Sequence, residues 1–376
     1  MVSVIRGGGK KSPEKIFLHI GCEKTGTTSV QRYFSENRAR LSEQQILYPK
    51  SVGASNHFDL SVYCLDDNKI TALRRRRQAV DTASINKART DIEKAFRAEC
   101  ARVCPTRIVL SSEQLSSNVT TQQEIERLRS LLGDFGAPIE IILYVRRQDD
   151  LAVSSYSTQV KAGATYKFDT GKISSRNIKY NYEKMCKLWT QFPGDTRLTV
   201  RLYDRRVLAG GDVVTDICQL IGVDTDGFVK PPDANKTLDP TTLEVLRCLN
   251  THLPQHGDPQ NLRGNLQDIF ASLSSNEKLT IADVEAEQIM TALRTENEWV
   301  RARYFSDLEF DPFEVRARGS KNTLNKDLSL DETLKVFAEV WTLKQKQLMA
   351  SRADASPLAL DRNVIRSAIS RFRKFM

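Results

Sequence analysis

The segment 16–31, with the sequence IFLHIGCEKTGTTSVQ, constrains the fold of this chain more than any other. An apolar run of strand length ends at Gly21, and a helical pattern with Val30 and Phe34 on one face follows a second glycine, Gly26. The first N–H groups of a helix have no partner inside the helix, and they favour an anion in front of them. Strand, glycine-bearing turn and helix start therefore predict a loop that binds phosphate.

The side chains of this loop also suit a phosphate ligand. Lys24 supplies a full positive charge, and Gly26 lets the backbone approach closely because it has no Cβ. The loops that bind ATP or GTP place their lysine directly after the second glycine, whereas here Thr27 stands at that position and Lys24 precedes Gly26. The predicted phosphate-binding set includes the hydroxyl residues of the loop and comprises Lys24, Thr25, Gly26, Thr27, Thr28 and Ser29.

A second segment, 139–156, repeats the order of strand, turn and helix. An apolar strand pattern ends at Arg146, and Asp149 or Asp150 is a candidate N-cap for the helix that follows. The arginine and Ser154, eight residues later in that helix, can converge on one phosphate. The guanidinium provides a charged fork and the serine a hydroxyl. This segment therefore predicts a second phosphate site.

Both segments resemble motifs of the sulfotransferases that use 3′-phosphoadenosine 5′-phosphosulfate (PAPS). The order from Lys24 to Thr28 resembles the 5′-phosphosulfate-binding loop of that family. Arg146 with Ser154 resembles its 3′-phosphate-binding motif, although Gln148 stands where the family often has proline. The resemblance implies an enzyme that transfers a sulfuryl group from PAPS to a hydroxyl or amine by in-line displacement. It also implies that PAP is released and that no metal is needed.

The resemblance covers about residues 15–250 and implies a bacterial, carbohydrate-type member of the family. The pair Asn56-His57 looks like an acceptor-side motif of some glycan sulfotransferases. A carbohydrate or glycolipid acceptor, anionic or neutral, is the expected partner, and nucleic acid is not expected. Two other hypotheses stay open at this point. One is a P-loop-type kinase that uses ATP and Mg²⁺, and the other is a non-catalytic protein that binds nucleotides or polyanions.

Two residues are candidates for the base that removes the acceptor proton, while Lys24 is expected to stabilise charge on the departing phosphate. Glu113 follows the strand pattern 107–112, at the end of the sheet where ligands of parallel sheets bind. The resemblance places a catalytic His or Glu at or near this position, with Ser112 as the alternative match. His57 titrates near neutrality, as a general base should. We rank Glu113 first and His57 second.

The net charge of +9 fits an anionic ligand or surface. We expect the basic run 74–77 to be a solvated helical face, with contact to an acidic acceptor or a membrane as the alternative. Residues 364–376 predict a basic amphipathic helix that either contacts anionic lipid or docks on the protein. The seven cysteines are scattered and the four histidines are too few for a His-rich metal site.

The sequence predicts a cytoplasmic enzyme, at most peripheral at the inner membrane face, because it shows no apolar membrane span and residues 1–15 have no signal-peptide core. Strand and helix patterns alternate to about residue 225. We therefore predict a P-loop-like α/β fold, with a parallel sheet flanked by helices and a helical C-terminal region. The predicted domains are a disordered lead-in (1–14), a PAPS-binding core (15–230) and a C-terminal region packed on the core (231–376).

Overall fold

The computed structural model describes residues 12–231, 238–253, 262–275, 277–315 and 321–354. The chain divides into two compact units. Unit 1 comprises residues 1–159, 166–236 and 279–325, and unit 2 comprises residues 160–165, 237–278 and 326–376. Residues 279–325 therefore cluster with the unit that contains the predicted core, although they belong to the predicted C-terminal region. The domain boundaries drawn from the sequence stay a prediction.

Unit 1 is built on a five-stranded parallel sheet with the strand order β2-β3-β1-β4-β5. The strands are β1 (Lys15–His19), β2 (Ile46–Leu47), β3 (Arg107–Ser111), β4 (Ile139–Val145) and β5 (Thr196–Leu202). Every residue of β4 is buried, as expected of a strand covered on both faces. Helices flank this sheet, which confirms the predicted α/β fold.

The helices complete both units and are numbered in chain order. They are α1 (Thr27–Glu36), α2 (Arg38–Glu43), α3 (Asp59–Cys64), α4 (Ala72–Arg76), α5 (Thr82–Val103), α6 (Glu113–Asn118), α7 (Gln122–Gly133), α8 (Gln148–Lys161), α9 (Tyr182–Trp189), α10 (Val213–Ile221), α11 (Pro240–Asn250), α12 (Leu262–Leu273), α13 (Asp283–Ala292), α14 (Arg294–Tyr304) and α15 (Leu330–Asp354). In the described part of the chain, no helix is both long and apolar enough to cross a membrane.

The position of β1 decides where a ligand can bind. It lies between β3 and β4, with Phe17 paired with Val109 on one side and with Glu140 on the other. The strands are parallel, so the chain leaves β1, β3 and β4 at the same edge. The connection from β3 to β4 crosses β1, which makes this edge a topological switch point of the kind where open α/β sheets bind ligands. Both predicted phosphate sites lie there.

The composition of residues 70–103, rich in Ala, Arg and Glu, favours a helix, but the structure divides this range. Two helices, α4 and α5, cover this range, because the chain turns at Gln78 with a φ of 54° and Asp81 then caps a new helix. Asp81 accepts from the backbone N–H of Ser84, and the side chain of Ser84 accepts from the backbone of Asp81. This capping box starts α5 independently of α4.

The basic run 74–77 is only partly the solvated face predicted from the sequence. Arg74 is fully buried, and its guanidinium donates to backbone carbonyls at the end of α3, including those of Val62 and Leu65. Arg77 pairs with the buried carboxylate of Asp59. Arg74 and Arg77 therefore stabilise α3 and the chain around it, which leaves the exposed residues at 75 and 76 for any contact with a partner.

Unit 2 contains α11, α12 and α15, and α15 packs against the other two helices. Asp239 caps α11 by accepting from the backbone N–H of Thr242, and Pro240 occupies the first turn. An Asp directly before Pro is thus both the sequence pattern and the observed geometry of a capped helix start. The predicted basic segment 364–376 and most of the lead-in lie outside the described residues.

Candidate active site

The loop after β1 has the backbone of a phosphate-binding turn. Pairing with β4 continues past the strand, since Ile20 N–H donates to Ile142 O at 2.9 Å and Cys22 N–H donates to Tyr144 O at 3.1 Å. The chain then turns through positive φ angles at Lys24 (66°) and Gly26 (76°) and enters α1. This conformation aims the start of α1 at the carboxyl edge of the sheet.

The backbone N–H groups of this turn are available to a ligand. Within the described residues, those of residues 24–29 donate to no protein acceptor, and the first bond of α1 runs from Val30 N–H to Gly26 O at 3.1 Å. Such N–H groups, together with the helix dipole, bind an anion. The loop therefore carries an anion-binding surface made of main chain.

The hydroxyl groups of the loop do not all face the same way. Thr25 is fully buried, and its Oγ1 donates to Cys22 O at 2.7 Å, so this hydroxyl holds the turn together. Thr27 is also buried, whereas Thr28 and Ser29 are exposed on the first turn of α1. Thr25 can thus contribute to phosphate binding through its backbone, and Thr28 and Ser29 through backbone and side chain.

Gly26 cannot carry a side chain here. A Cβ at this position would lie 2.7 Å from Val213 Cγ1 and 3.3 Å from Tyr203 Cε2. We expect Gly26→Ala to lower stability by about 1–3 kcal/mol beyond the penalty of its positive φ and to abolish anion binding. Gly136→Ala is the matched control, since its φ is 65° and nothing lies within 4 Å of the added methyl. Thermal unfolding with and without PAP measures both effects, and equal losses in the two variants would contradict the steric argument.

Cationic side chains converge on this turn from other elements. Lys24 Nζ donates to Thr158 Oγ1 on α8 at 3.0 Å, and Arg146 Nη1 donates to Lys24 O at 2.8 Å. Lys179 pairs with Glu23 at 2.5 Å. Burial, followed by the nearby charge of Arg146, lowers the pKa of Lys24. A cluster of like charges on an anion-binding loop is the arrangement expected where the natural ligand is strongly negative.

Arg146 is positioned by its surroundings at the end of β4. Its carbonyl accepts from Tyr182 OH at 2.7 Å, and its guanidinium lies 5.7 Å from the centre of the Tyr203 ring. Ser154 lies on α8, partly exposed, and its carbonyl accepts from Thr158 Oγ1 at 3.2 Å. Because Thr158 also holds Lys24, the structure links Arg146 and the Ser154 turn of α8 to the same loop.

Glu113 follows the β3 strand, as predicted, and begins α6, with Ser112 as the N-cap residue of that helix. Its Oε2 accepts from Gln31 Nε2 at 2.6 Å, and its Oε1 accepts from Asn56 Nδ2 at 3.0 Å. Both donors are neutral amides, so they orient the carboxylate but neither neutralise its charge nor protonate it. The charge of Glu113 also acts on Lys24, raising its pKa against the larger effect of burial.

His57 occupies a structural position. Its side chain is fully buried, its Nδ1 accepts from Ser111 N–H at 3.0 Å, and its Nε2 donates to Pro49 O at 2.9 Å. Burial lowers its pKa to about 3, so the ring is neutral. With both ring nitrogens engaged, His57 has none to offer an acceptor, and it instead fixes the loop that presents Asn56 to Glu113.

Several residues around the site did not stand out in the sequence. Gln31 lies one turn after Thr27 on α1, and Thr158 lies one turn after Ser154 on α8, so helical spacing from the predicted residues is the signal that points to them. His19 had no such signal. It is buried at the end of β1, Ser111 Oγ lies 2.9 Å from its Nδ1, and its Nε2 has no partner within the described structure.

Two further features of the described residues concern ligands. No group of three or more His, Cys, Asp or Glu side chains among them is arranged to hold a metal ion. A cavity of about 500 Å³ lies elsewhere in unit 1, lined by α13, α14 and residues 311–315. None of the predicted site residues lines this cavity, so the candidate site is the exposed edge of the sheet.

Comparisons with known proteins add little to this geometry. No family model matches the chain. An uncharacterized protein of Archaeoglobus fulgidus is 30% identical over 147 residues, which are 39% of this chain and 38% of that protein. The sulfotransferase domain from the curacin biosynthetic pathway is similar in structure with a TM-score of 0.33 and 15% identity, covering 75% of this chain and 98% of that domain. A structural similarity at this TM-score does not by itself assign a function.

Proposed function

We propose that this chain is a PAPS-dependent sulfotransferase. The observation that carries the proposal is the contact between the two predicted phosphate-binding elements, in which Arg146, after β4, donates to the carbonyl of Lys24 in the loop after β1. A nucleotide with phosphate groups on both its 5′ and 3′ positions needs two anion sites held together in this way. A nucleotide with a single phosphate chain needs only the loop.

The residues present fit such a donor. The unpaired N–H groups of residues 24–29 and the ammonium of Lys24 would hold the 5′-phosphosulfate. Arg146 and the partly exposed Ser154 would hold the 3′-phosphate. Lys24 and Arg146 supply the positive charge that such an anion requires. The charge of the neighbouring Lys179 is balanced by Glu23.

The chemistry then needs an acceptor, a base and charge stabilisation. The acceptor oxygen, or nitrogen, forms a bond to sulfur while the bond from sulfur to the 5′-phosphate oxygen breaks. Glu113 takes the acceptor proton, because its carboxylate is oriented by the amides of Gln31 and Asn56. Lys24 moves from Thr158 to the departing oxygen and neutralises the charge that develops there.

A carbohydrate or glycolipid is the acceptor that we favour, and the cytoplasm, with at most peripheral contact with the inner membrane face, is the proposed location. The net charge of +9 supports an acceptor that is itself acidic. The pair of Asn56 and His57 supports a glycan through the motif that it resembles, with His57 acting through the position of Asn56.

A kinase remains the second candidate because the loop geometry suits any nucleotide phosphate. Against it stands Thr27, which occupies the position where a P-loop kinase has its lysine. A non-catalytic binding protein would use the same loop and Arg146 but would have no need of the oriented carboxylate of Glu113.

Calorimetric titration with PAP, AMP and Mg-ATP tests the donor. We expect PAP to bind more tightly than AMP, because AMP lacks the 3′-phosphate. We expect Arg146→Ala to weaken PAP binding by about 10- to 100-fold, the value of a charged hydrogen bond, and to change AMP binding much less. Arg146 also donates to Lys24 O, so AMP serves as the control for any disturbance of the loop.

The outcomes separate the candidates. Equal losses for PAP and AMP in the Arg146 variant would contradict the 3′-phosphate assignment. A clear response to Mg-ATP without one to PAP would replace the sulfotransferase with the kinase. Lys179→Ala is the matched control, because it removes a nearby positive charge that is already paired with Glu23.

A further inference from the structure

The helix α15 in unit 2 exposes a stripe of large apolar side chains. Leu330, Leu334, Phe337 and Trp341 are 75%, 57%, 43% and 68% exposed, respectively. Val336 lies on the opposite side of the helix and is buried, and α15 contacts α11 and α12. Single exposed apolar residues are common on protein surfaces, whereas a continuous apolar stripe marks an interaction site.

The spacing of the stripe specifies the kind of surface that covers it. Its members follow each other at intervals of four, three and four residues. This alternation is the a and d pattern of a helix that packs along its length against another helix. A flat surface or a small ligand would not require such regular spacing, so we look for a helical occupant.

The charges beside the stripe point to a particular helix. By helical spacing, Asp331 near the start of α15 and Lys344 in its later part lie on or beside the stripe. Glu332, which is paired with Lys326, and Lys346 lie on the other side of the helix. A second copy of α15, running antiparallel, brings Asp331 of each helix towards Lys344 of the other. A parallel copy would instead place like charges together, which disfavours that orientation.

We propose that α15 pairs with α15 of a second copy of this chain, in an antiparallel, two-fold symmetric contact. Symmetry requires the same patch to serve on both sides, and a stripe with opposite charges at its two ends meets that requirement. In this register Phe337 of one copy lies against Trp341 of the other, on both sides of the symmetry axis. The symmetry axis then lies at the level of residue 339, so the two copies of Ala338, exposed beside the stripe, flank the axis one residue from it.

Sedimentation over a wide range of protein concentration tests the pairing. We expect the full chain to dimerise and Phe337→Lys to weaken the dimer by about 100-fold or more, because the symmetric contact loses two buried aromatic side chains and gains two charges. Thr342→Lys is the matched control, since it adds the same charge to an exposed position of α15 outside the stripe, and it should leave the dimer intact.

A cysteine at position 338 tests the register. We expect Ala338→Cys to form a disulfide between copies under mild oxidation, and we expect a cysteine at Thr342 to do so far less. A monomeric full chain would overturn the proposal. This holds even if deletion of residues 355–376 then produces a dimer, because that result would mean that this segment of the same chain covers the stripe. A dimer that Phe337→Lys does not weaken would overturn it as well. PAP binding has no part in these measurements, so they stand apart from the proposed function.

Discussion

Glu113→Gln should lower kcat by about 10²- to 10⁴-fold, the range that a positioned general base contributes, while PAP affinity stays within about twofold of the parent value. The substitution keeps the size of the side chain but removes its ability to take a proton. Gln31 can still donate to the oxygen of the new amide, and a flip of the Asn56 amide lets its Oδ1 accept from the new NH2 group, so the start of α6 should remain in place. Sulfuryl transfer from labelled PAPS, combined with calorimetric titration of PAP, measures both quantities.

The comparison with His57 makes this test specific. His57→Gln should act first on stability, because the ring is buried between Ser111 N–H and Pro49 O. Any fall in activity should follow the fraction of folded protein. The assignment of Glu113 as the base fails if its variant retains more than about a tenth of the parent kcat. It also fails if PAP affinity drops as steeply as kcat, since that would indicate a structural role.

Lys24→Ala should lower kcat by about 10²- to 10³-fold, the value of removing one group that stabilises transition-state charge. PAP affinity should fall less, because the backbone N–H groups of residues 24–29 still bind the phosphate. The split between kcat and PAP affinity is the decisive measurement, since a contact made equally in the ground state would change affinity without changing kcat.

A matched variant controls for the general loss of positive charge. Lys179→Ala removes an ammonium from the same cluster, but one that is paired with Glu23, so we expect kcat to change by no more than about tenfold. Similar kcat values for the Lys24 and Lys179 variants would mean that Lys24 acts only as one of several positive charges and does not stabilise the transition state specifically. Arg at position 24 should not restore the parent rate, because a planar guanidinium does not replace a compact ammonium.

The sheet and the strand, turn and helix of the two candidate phosphate-binding segments could be predicted because each is encoded locally. Apolar strand, glycine and helix follow one another within segments 16–31 and 139–156, and the structure places them at one edge of the sheet. The break between α4 and α5 is not evident from the sequence because the capping box at Asp81 lies inside a stretch with good helical composition. The start of α6 at Glu113 is not evident from the sequence because only Ser112 separates it from the end of β3.

The roles of individual side chains were harder to predict because they depend on contacts between distant segments. His57 resembled a base in the sequence, yet its ring is held by Pro49 and by Ser111, a residue of another strand. Thr25 resembled a phosphate ligand, but its hydroxyl bonds to the carbonyl of Cys22. Sequence spacing indicates which residues are near a site, whereas burial and partners decide what they do there.

The strand order has a consequence for folding during synthesis. The strand β1 is synthesised first, yet its neighbours in the sheet are β3 and β4, whose partner residues begin at Arg107 and Ile139. The apolar strand and its loop therefore leave the ribosome long before anything exists to pair with them. A nascent chain that stops short of β4 has the sequence of the loop after β1 but not the strands that support it, so we expect newly made protein to bind the proposed nucleotide only after the sheet has formed around β1.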